Sequence, residues 1–169
     1  AGADFAVGCT YKYLNSGPGG PAFIYVEPRL ADVARPALSG WLGHEAPFAF
    51  DPDYRPGSGI ERMRVGTPPV LQLAALEASL DIWDNVSMAD VRARSIELTE
   101  QFIKAVEATC PALVLASPRD PELRGSQISF RHPEGYAIIQ ALIARGVIGD
   151  FRAPDILRFG FAPLYNSPD

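Results

Sequence analysis

Lysine is nearly missing from this sequence. Of its fifteen basic residues only Lys12 and Lys104 are lysines. The arginines are scattered, so no cationic run exists to follow a phosphate backbone, and with a net charge of -5 a nucleic-acid surface is not expected. Long apolar runs are absent too: none approaches the roughly 20 residues that span a bilayer, so no membrane segment is expected. Cysteine and histidine are equally scarce. Cys9 and Cys110, like His44 and His132, stand too far apart for metal-ligand spacing. No metal site is expected, and the cysteines read as buried reduced thiols, consistent with a cytoplasmic protein. The chain also lacks an initiator methionine and a signal peptide; it opens on "AGADFAVGCTY", which reads as the approach to an interior strand, so a fragment is expected.

What is present is an apolar fraction of 47% against 21% charged, enough for one globular domain or parts of two. Through about Gly66 the chain is rich in Gly and Pro, with short apolar runs, "DFAVGC" and "PAFIYVE", that read as buried or edge strands. "PPVLQLAALEASLDIWDN" follows, with prolines where a first helical turn tolerates them and Leu71, Ala74, Ala75, Ala78 and Ile82 at helical spacing. "SMADVRARSIELTEQFIKAVEA" predicts a longer amphipathic helix capped by Ser87, with Val91, Ile96, Ile103 and Val106 on its apolar side. After Pro111, "ALVLAS", "GSQISFRH", "VIGDF" and "ILRFGFAP" read as strands around a helix "EGYAIIQALIARG" that ends at Gly146. Ile128 and Phe130, or Leu157 and Phe159, would face one side of that small α+β unit. "PLYNSPD" reads as a turn. No internal repeat or low-complexity tract occurs.

The rare lysine sits in "CTYKYLNSGPGGPAF". It is either a surface lysine in a loop or a reactive amine, since apolar and aromatic neighbours disfavour the charged form and free the amine as a nucleophile. Tyr11 and Tyr13 supply hydroxyls, and the Gly/Pro turn lets backbone approach a ligand closely. The turn lacks the "GK[ST]" ending of a P-loop and is not a dinucleotide fingerprint.

"DFAVGCTYKYLNSGPGG" closely resembles the lysine segment of the kynureninase family, pyridoxal 5'-phosphate (PLP) enzymes of the aspartate-aminotransferase fold. "GWLGHEAPFAFDPDYRPGSGIERMRVGTPPVLQLAALEASLDIW" and "ILRFGFAPLYNS" resemble later stretches of that family, in order, over essentially the whole chain. The resemblance implies an α/β fold, the C-terminal part of PLP-dependent transferase fold type I: the end of the large-domain sheet, then a small α+β domain. Residues 1–66 would belong to the large PLP-binding domain, 67–86 would form a connecting helix, and 87–169 the small domain.

It also implies roles. Lys12 would carry the cofactor as a Schiff base, with Tyr11 contacting the cofactor phosphate. Trp41, otherwise an aromatic packed at a loop, would be a second phosphate contact. Thr67, where some family members have asparagine, would be a third or would touch substrate. In the dimeric fold, Trp41 and Thr67 would serve the neighbouring subunit's site. Arg158 would clamp the substrate α-carboxylate, a task suited to its planar fork of donors; otherwise it is an arginine at a sheet edge paired with Asp155 or Asp150. Arg152 fits the clamp less well, and His44, Asp51 and Asp53 read as loop structure.

The implied activity is hydrolytic Cβ–Cγ cleavage of L-kynurenine to anthranilate and L-alanine, or of 3-hydroxykynurenine to 3-hydroxyanthranilate and alanine, in tryptophan catabolism. The alternatives are another fold-type-I PLP enzyme, such as a cysteine desulfurase or an aminotransferase, or a non-catalytic domain derived from one. Family residues that hold most of the cofactor precede the lysine, so these 169 residues alone are expected to be inactive.

Overall fold

The computed structural model describes residues 2–167; Ala1 and the final Pro168 and Asp169 of the expected terminal turn lie outside the described residues. The chain divides into two compact units, Ala1–Asp84 and Asn85–Asp169.

The first unit opens on an antiparallel hairpin of β1 (Phe5–Cys9) and β2 (Ala22–Val26), with Phe5 opposite Val26 and Cys9 opposite Ala22. These are the two apolar runs of the sequence, but most of their large side chains are exposed, and Val26 alone is buried among the strand hydrophobics. A one-turn helix α1 (Pro28–Ala31) follows, with proline in its first turn and Glu27 capping the Arg29 N–H. The Gly/Pro-rich stretch beyond it forms three short 3-10 helices, Trp41–Gly43, Pro47–Ala49 and Gly59–Met63. Buried Arg62 ties this stretch to α1: its Nη1 donates to the carbonyls of Asp32 and Ala34, and the Asp32 side chain also accepts from Gly59 N.

Helix α2 (Val70–Leu80) starts immediately after Pro69 and tightens into a 3-10 turn, Asp81–Trp83. Its apolar stripe is not a buried one: Leu71 is 84% exposed and Ile82 53%, and Ser79 is the helix's one buried residue. Helical spacing of apolar residues forecasts a helix reliably, because the backbone periodicity is local. Whether the stripe is covered depends on what packs against it.

The second unit is built on the long helix α3 (Met88–Thr109), whose N-cap is Ser87; its Oγ accepts from Ala89 N at 3.2 Å. The strands β3 (Val114–Leu115), β4 (Gln127–Arg131), β5 (Asp150–Arg152) and β6 (Ile156–Gly160) form one antiparallel sheet in the order β3-β4-β6-β5, with helix α4 (Gly135–Ile143) between β4 and β5. Ile128 registers with Phe159, and Phe130 with both Leu157 and Leu115, so one face is apolar throughout. That face packs on α3: Ile103, Ile128 and Phe130 are fully buried together, and the Phe102 ring lies 5.2 to 5.9 Å from the rings of Phe130, Phe159 and Phe161. Both cysteines are free thiols, but neither is buried as expected: Cys9 is half-buried and Cys110, which follows the last turn of α3, is exposed. Among the described residues no helix is long and apolar enough to cross a membrane.

Candidate functional site

Lys12 stands in the connection of the β1–β2 hairpin, and the chain holds that connection from within. Thr10 is buried; its Oγ1 donates to the Pro21 carbonyl at 2.5 Å and lies 2.8 Å from Ser16 Oγ. Ser16 N donates to the Thr10 carbonyl, Asn15 N to the Lys12 carbonyl, and Gly20 N to the Gly17 carbonyl. Gly20 is demanded by crowding, since a Cβ there would stand 1.9 Å from Ser16 Oγ and 2.8 Å from Thr10 Oγ1. Lys12 therefore projects from a pinned turn. Its Nζ sits over the Tyr11 ring, 5.5 Å from the centroid, an exposed cation–π contact of roughly 0.5–1 kcal/mol. The expected apolar enclosure is not supplied by the described residues: Lys12 is exposed, and among them its amine has no hydrogen-bond or ion-pair partner. Tyr11 and Tyr13 are exposed as well.

Trp41 is 46% exposed and packs edge-on against Phe48, ring centroids 5.7 Å apart. Its backbone lies hard against the segment that carries Thr67. A Cβ on Gly40 would fall 1.8 Å from the Val65 carbonyl oxygen, and a Cβ on Gly66 would be 3.9 Å from Trp41 Nε1. The fold thus brings Trp41 beside the Gly66-Thr67 corner, two predicted site residues that are separated in sequence. Replacing Gly40 by alanine is expected to destabilise this unit by about 3 kcal/mol, because the neighbour is backbone and has no rotamer to yield. A lowered urea midpoint would register it, while Gly66→Ala, whose Cβ would make only an ordinary van der Waals contact with Trp41 Nε1, should cost under about 1 kcal/mol.

The loop after Trp41 is rigid for identifiable reasons. His44 is buried, accepting from Ala46 N at Nδ1 (2.9 Å) and facing the Asp53 carbonyl through Nε2 (3.1 Å), which assigns the proton to Nε2. Tyr54 Oη donates to the Gly43 carbonyl. Arg55 binds Glu45 and Asp51, and with Asp53 N it holds the Asp51 carboxyl below the usual carboxylate range. His44, Asp51 and Asp53 are loop structure, as their sequence context indicates. Together the loop encloses a cavity of about 410 Å³ lined in part by Trp41, His44, Phe50 and Tyr54.

Arg158 lies in the second unit, on β6. It is not at a sheet edge: β4 and β5 flank it, with Ser129 and Asp150 opposite it in register. Of the two carboxylates considered from sequence, the register selects Asp150, whose Oδ2 accepts from Arg158 Nη2 while its Oδ1 accepts from Arg152 Nη1 at 2.8 Å. The Arg158 guanidinium holds the Asp150 carboxyl below its ordinary range. The Asp150 carboxylate is therefore ionised at neutral pH, and the stability its lowered value contributes is lost only in acid, as pH falls through that value. No recorded contact among the described residues joins Lys12 or Tyr11 to Trp41 or Thr67. Sequence reasoning missed the Thr10–Ser16–Gly20 lock and the Gly40–Val65 approach, since neither has a spacing signature.

Residues 91–169 match the family model for the kynureninase C-terminal domain. Over 169 residues, 99% of its length, the chain is 54% identical to kynureninase of Pseudomonas fluorescens, of which it covers 41%. Among solved structures, the apo cysteine desulfurase of Thermococcus onnurineus NA1 superposes with a TM-score of 0.77 at 19% identity, over 98% of this chain and 43% of that one. A C-DES variant with glycine covalently linked to its PLP cofactor gives 0.68 at 22% identity, over 88% and 40%. These two likenesses establish the fold, the C-terminal part of PLP-dependent transferase fold type I. The chain spans about two fifths of the length of the curated kynureninases it resembles, and the kynureninase C-terminal domain model covers its residues 91–169.

Proposed function

We propose that the intact protein is a PLP-dependent hydrolase that cleaves L-kynurenine, or its 3-hydroxy form, at Cβ–Cγ, releasing anthranilate or 3-hydroxyanthranilate and L-alanine. The observation that carries this reading is 54% identity to a kynureninase over 99% of the chain, with the lysine segment included. Residues 1–66 are then the end of the large cofactor-binding domain, 67–86 the connecting helix and 87–169 the small domain.

The donor set fits PLP. Lys12 offers an unpaired amine for the cofactor's aldehyde, and among the described residues the Tyr11 hydroxyl, Trp41 Nε1–H and Thr67 hydroxyl have no hydrogen-bond partner, leaving three neutral donors suited to a phosphate. Bound PLP would supply an electron sink for the charge that develops at the substrate's Cα. This chain's residues do the rest. Lys12 Nζ holds the cofactor and moves a proton at Cα as base and acid. Tyr11, adjacent to it in sequence, holds the phosphate and relays a proton. Arg158 binds the α-carboxylate through its fork of donors. Trp41 and Thr67, gathered at one corner, serve the phosphate of the neighbouring subunit in a cytoplasmic homodimer whose site is shared.

Borohydride reduction of the PLP-loaded protein followed by peptide mass mapping is expected to leave a pyridoxyl adduct on Lys12. Release of fluorescent anthranilate from kynurenine, compared with 3-hydroxyanthranilate from the hydroxylated substrate, then reports the activity and its preference. An adduct on Lys12 accompanied by sulfide release from cysteine and no anthranilate would favour the desulfurase alternative. No adduct at all would leave a non-catalytic domain.

A further inference from the structure

The face of the four-stranded sheet turned away from α3 carries charged side chains beside the apolar Val114 and Ile156, and its charges do not balance. Register places Ser129, Arg158 and Asp150 side by side across β4, β6 and β5, with Arg152 next along β5 and Arg131 on β4. Three guanidinium groups thus share this face with one carboxylate. Asp150 is fully engaged: one oxygen accepts from Arg152 and the other from Arg158. Arg152 takes Oδ1, and the bond between Asp150 and Arg158 runs through Oδ2 alone, where an isolated arginine–carboxylate pair commonly closes into a two-bond fork.

The consequence falls on Arg158. Its side chain is 30% accessible, Nη2 is fixed by Asp150, and Nε is buried with no hydrogen-bond partner. A buried N–H without an acceptor is a standing cost, and here it belongs to a guanidinium held at one end with its remaining donors uncommitted. Two cations around one anion leave a positive excess at the same point. The missing element is an anionic acceptor, and a planar carboxylate matches a planar fork.

We infer that Asp150 is a positioning residue: held by Arg152, it fixes the Arg158 guanidinium through Nη2 and leaves Nη1, rather than the buried Nε, free to meet a substrate carboxylate. This rests on the reading of Arg158 as the carboxylate clamp given above. Arg152, which does not itself serve as the clamp, keeps Asp150 from closing over Arg158. The alternative is that Asp150 competes with the substrate for Arg158, and the two make opposite forecasts.

The test uses the PLP-loaded full-length protein with Asp150→Asn, which keeps the shape and one oxygen acceptor, Asp150→Ala and Arg152→Gln. Asp150→Asn is expected to raise KM for the amino-acid substrate about tenfold, the size of one weakened charge-assisted hydrogen bond, with kcat changed far less. Asp150→Ala should raise it further, and Arg152→Gln should raise it because the freed Asp150 oxygen then takes a second Arg158 donor. The effect should vanish when the α-carboxylate of the substrate is replaced by a carboxamide, which a general structural defect would not achieve. An unchanged or lowered KM in Asp150→Asn, or an equal penalty on the carboxamide, overturns the inference. Borohydride mapping of Lys12 on the same samples separates the two levels: wild-type protein without the adduct undermines the functional reading, whereas a normal adduct with unmoved KM undermines only the role of Asp150.

Discussion

Lys12→Ala is expected to lower kcat by about a thousandfold, the range that removal of a positioned acid–base group covers, and to abolish the borohydride adduct. The same variant should unfold at the wild-type urea midpoint within about 0.5 kcal/mol, because the side chain is exposed and its amine has no hydrogen-bond or ion-pair partner among the described residues. That contrast is what distinguishes a reactive lysine from a structural one. Lys12→Arg should not rescue activity: a guanidinium keeps the charge over Tyr11 but does not give up its proton to become a nucleophile or base. If the site is shared between subunits, mixing Lys12→Ala with Thr67→Ala protein should restore activity that neither homodimer has. No recovery on mixing, with both variants shown to be dimeric and to exchange subunits, would mean that Thr67 serves the site of its own chain.

Phe130→Ala carries the largest expected effect on stability. Phe130 is fully buried at the centre of the second unit, between Leu115 and Leu157 in register and beneath the Phe102 ring. Truncating a buried phenylalanine loses its transfer free energy and leaves a cavity whose walls, held by a sheet and a long helix, collapse only partly; the cost is about 4 kcal/mol. Against a total stability of roughly 5–15 kcal/mol this is enough to shift the unfolding midpoint severely. Urea unfolding followed by circular dichroism would measure it. Phe130→Leu, which retains most of the volume, should lose much less, and a truncation of similar size at Ile148, which is exposed, should scarcely register. Equal losses at Phe130 and Ile148 would contradict the core as described.

The two predictions probe different links of the chain. Lys12 depends on the hairpin turn that holds it, and that turn depends on Thr10, Ser16 and a glycine at position 20. Arg158 depends on the sheet, and the sheet on the apolar face that Phe130 anchors. A change at Phe130 would therefore reach Arg158 through folding alone, whereas Asp150→Asn would reach it with the core intact.

Much of this was determined by the sequence alone. Strand alternation in "GSQISFRH" and "ILRFGFAP", the Ser87 cap and the glycine after "LIAR" are local signals, each written in residues a few positions apart, and each element formed where those signals stand. The resemblance to kynureninases, too, was legible in the lysine segment and "PLYNS", since identity over short motifs needs no geometry. Tertiary structure alone decided the rest. Register chose Asp150 over Asp155 as the partner of Arg158 and put β6 inside the sheet, because pairing between strands separated by a turn has no local signature. Backbone contact between Gly40 and Val65 brought Trp41 beside Gly66, a close approach that no spacing announces. The apolar stripe of α2 stayed exposed, because periodicity prescribes a helix but says nothing of what will cover it. Lys12, rare in composition and plain in motif, owes its pinned position to hydrogen bonds that only the folded turn can make.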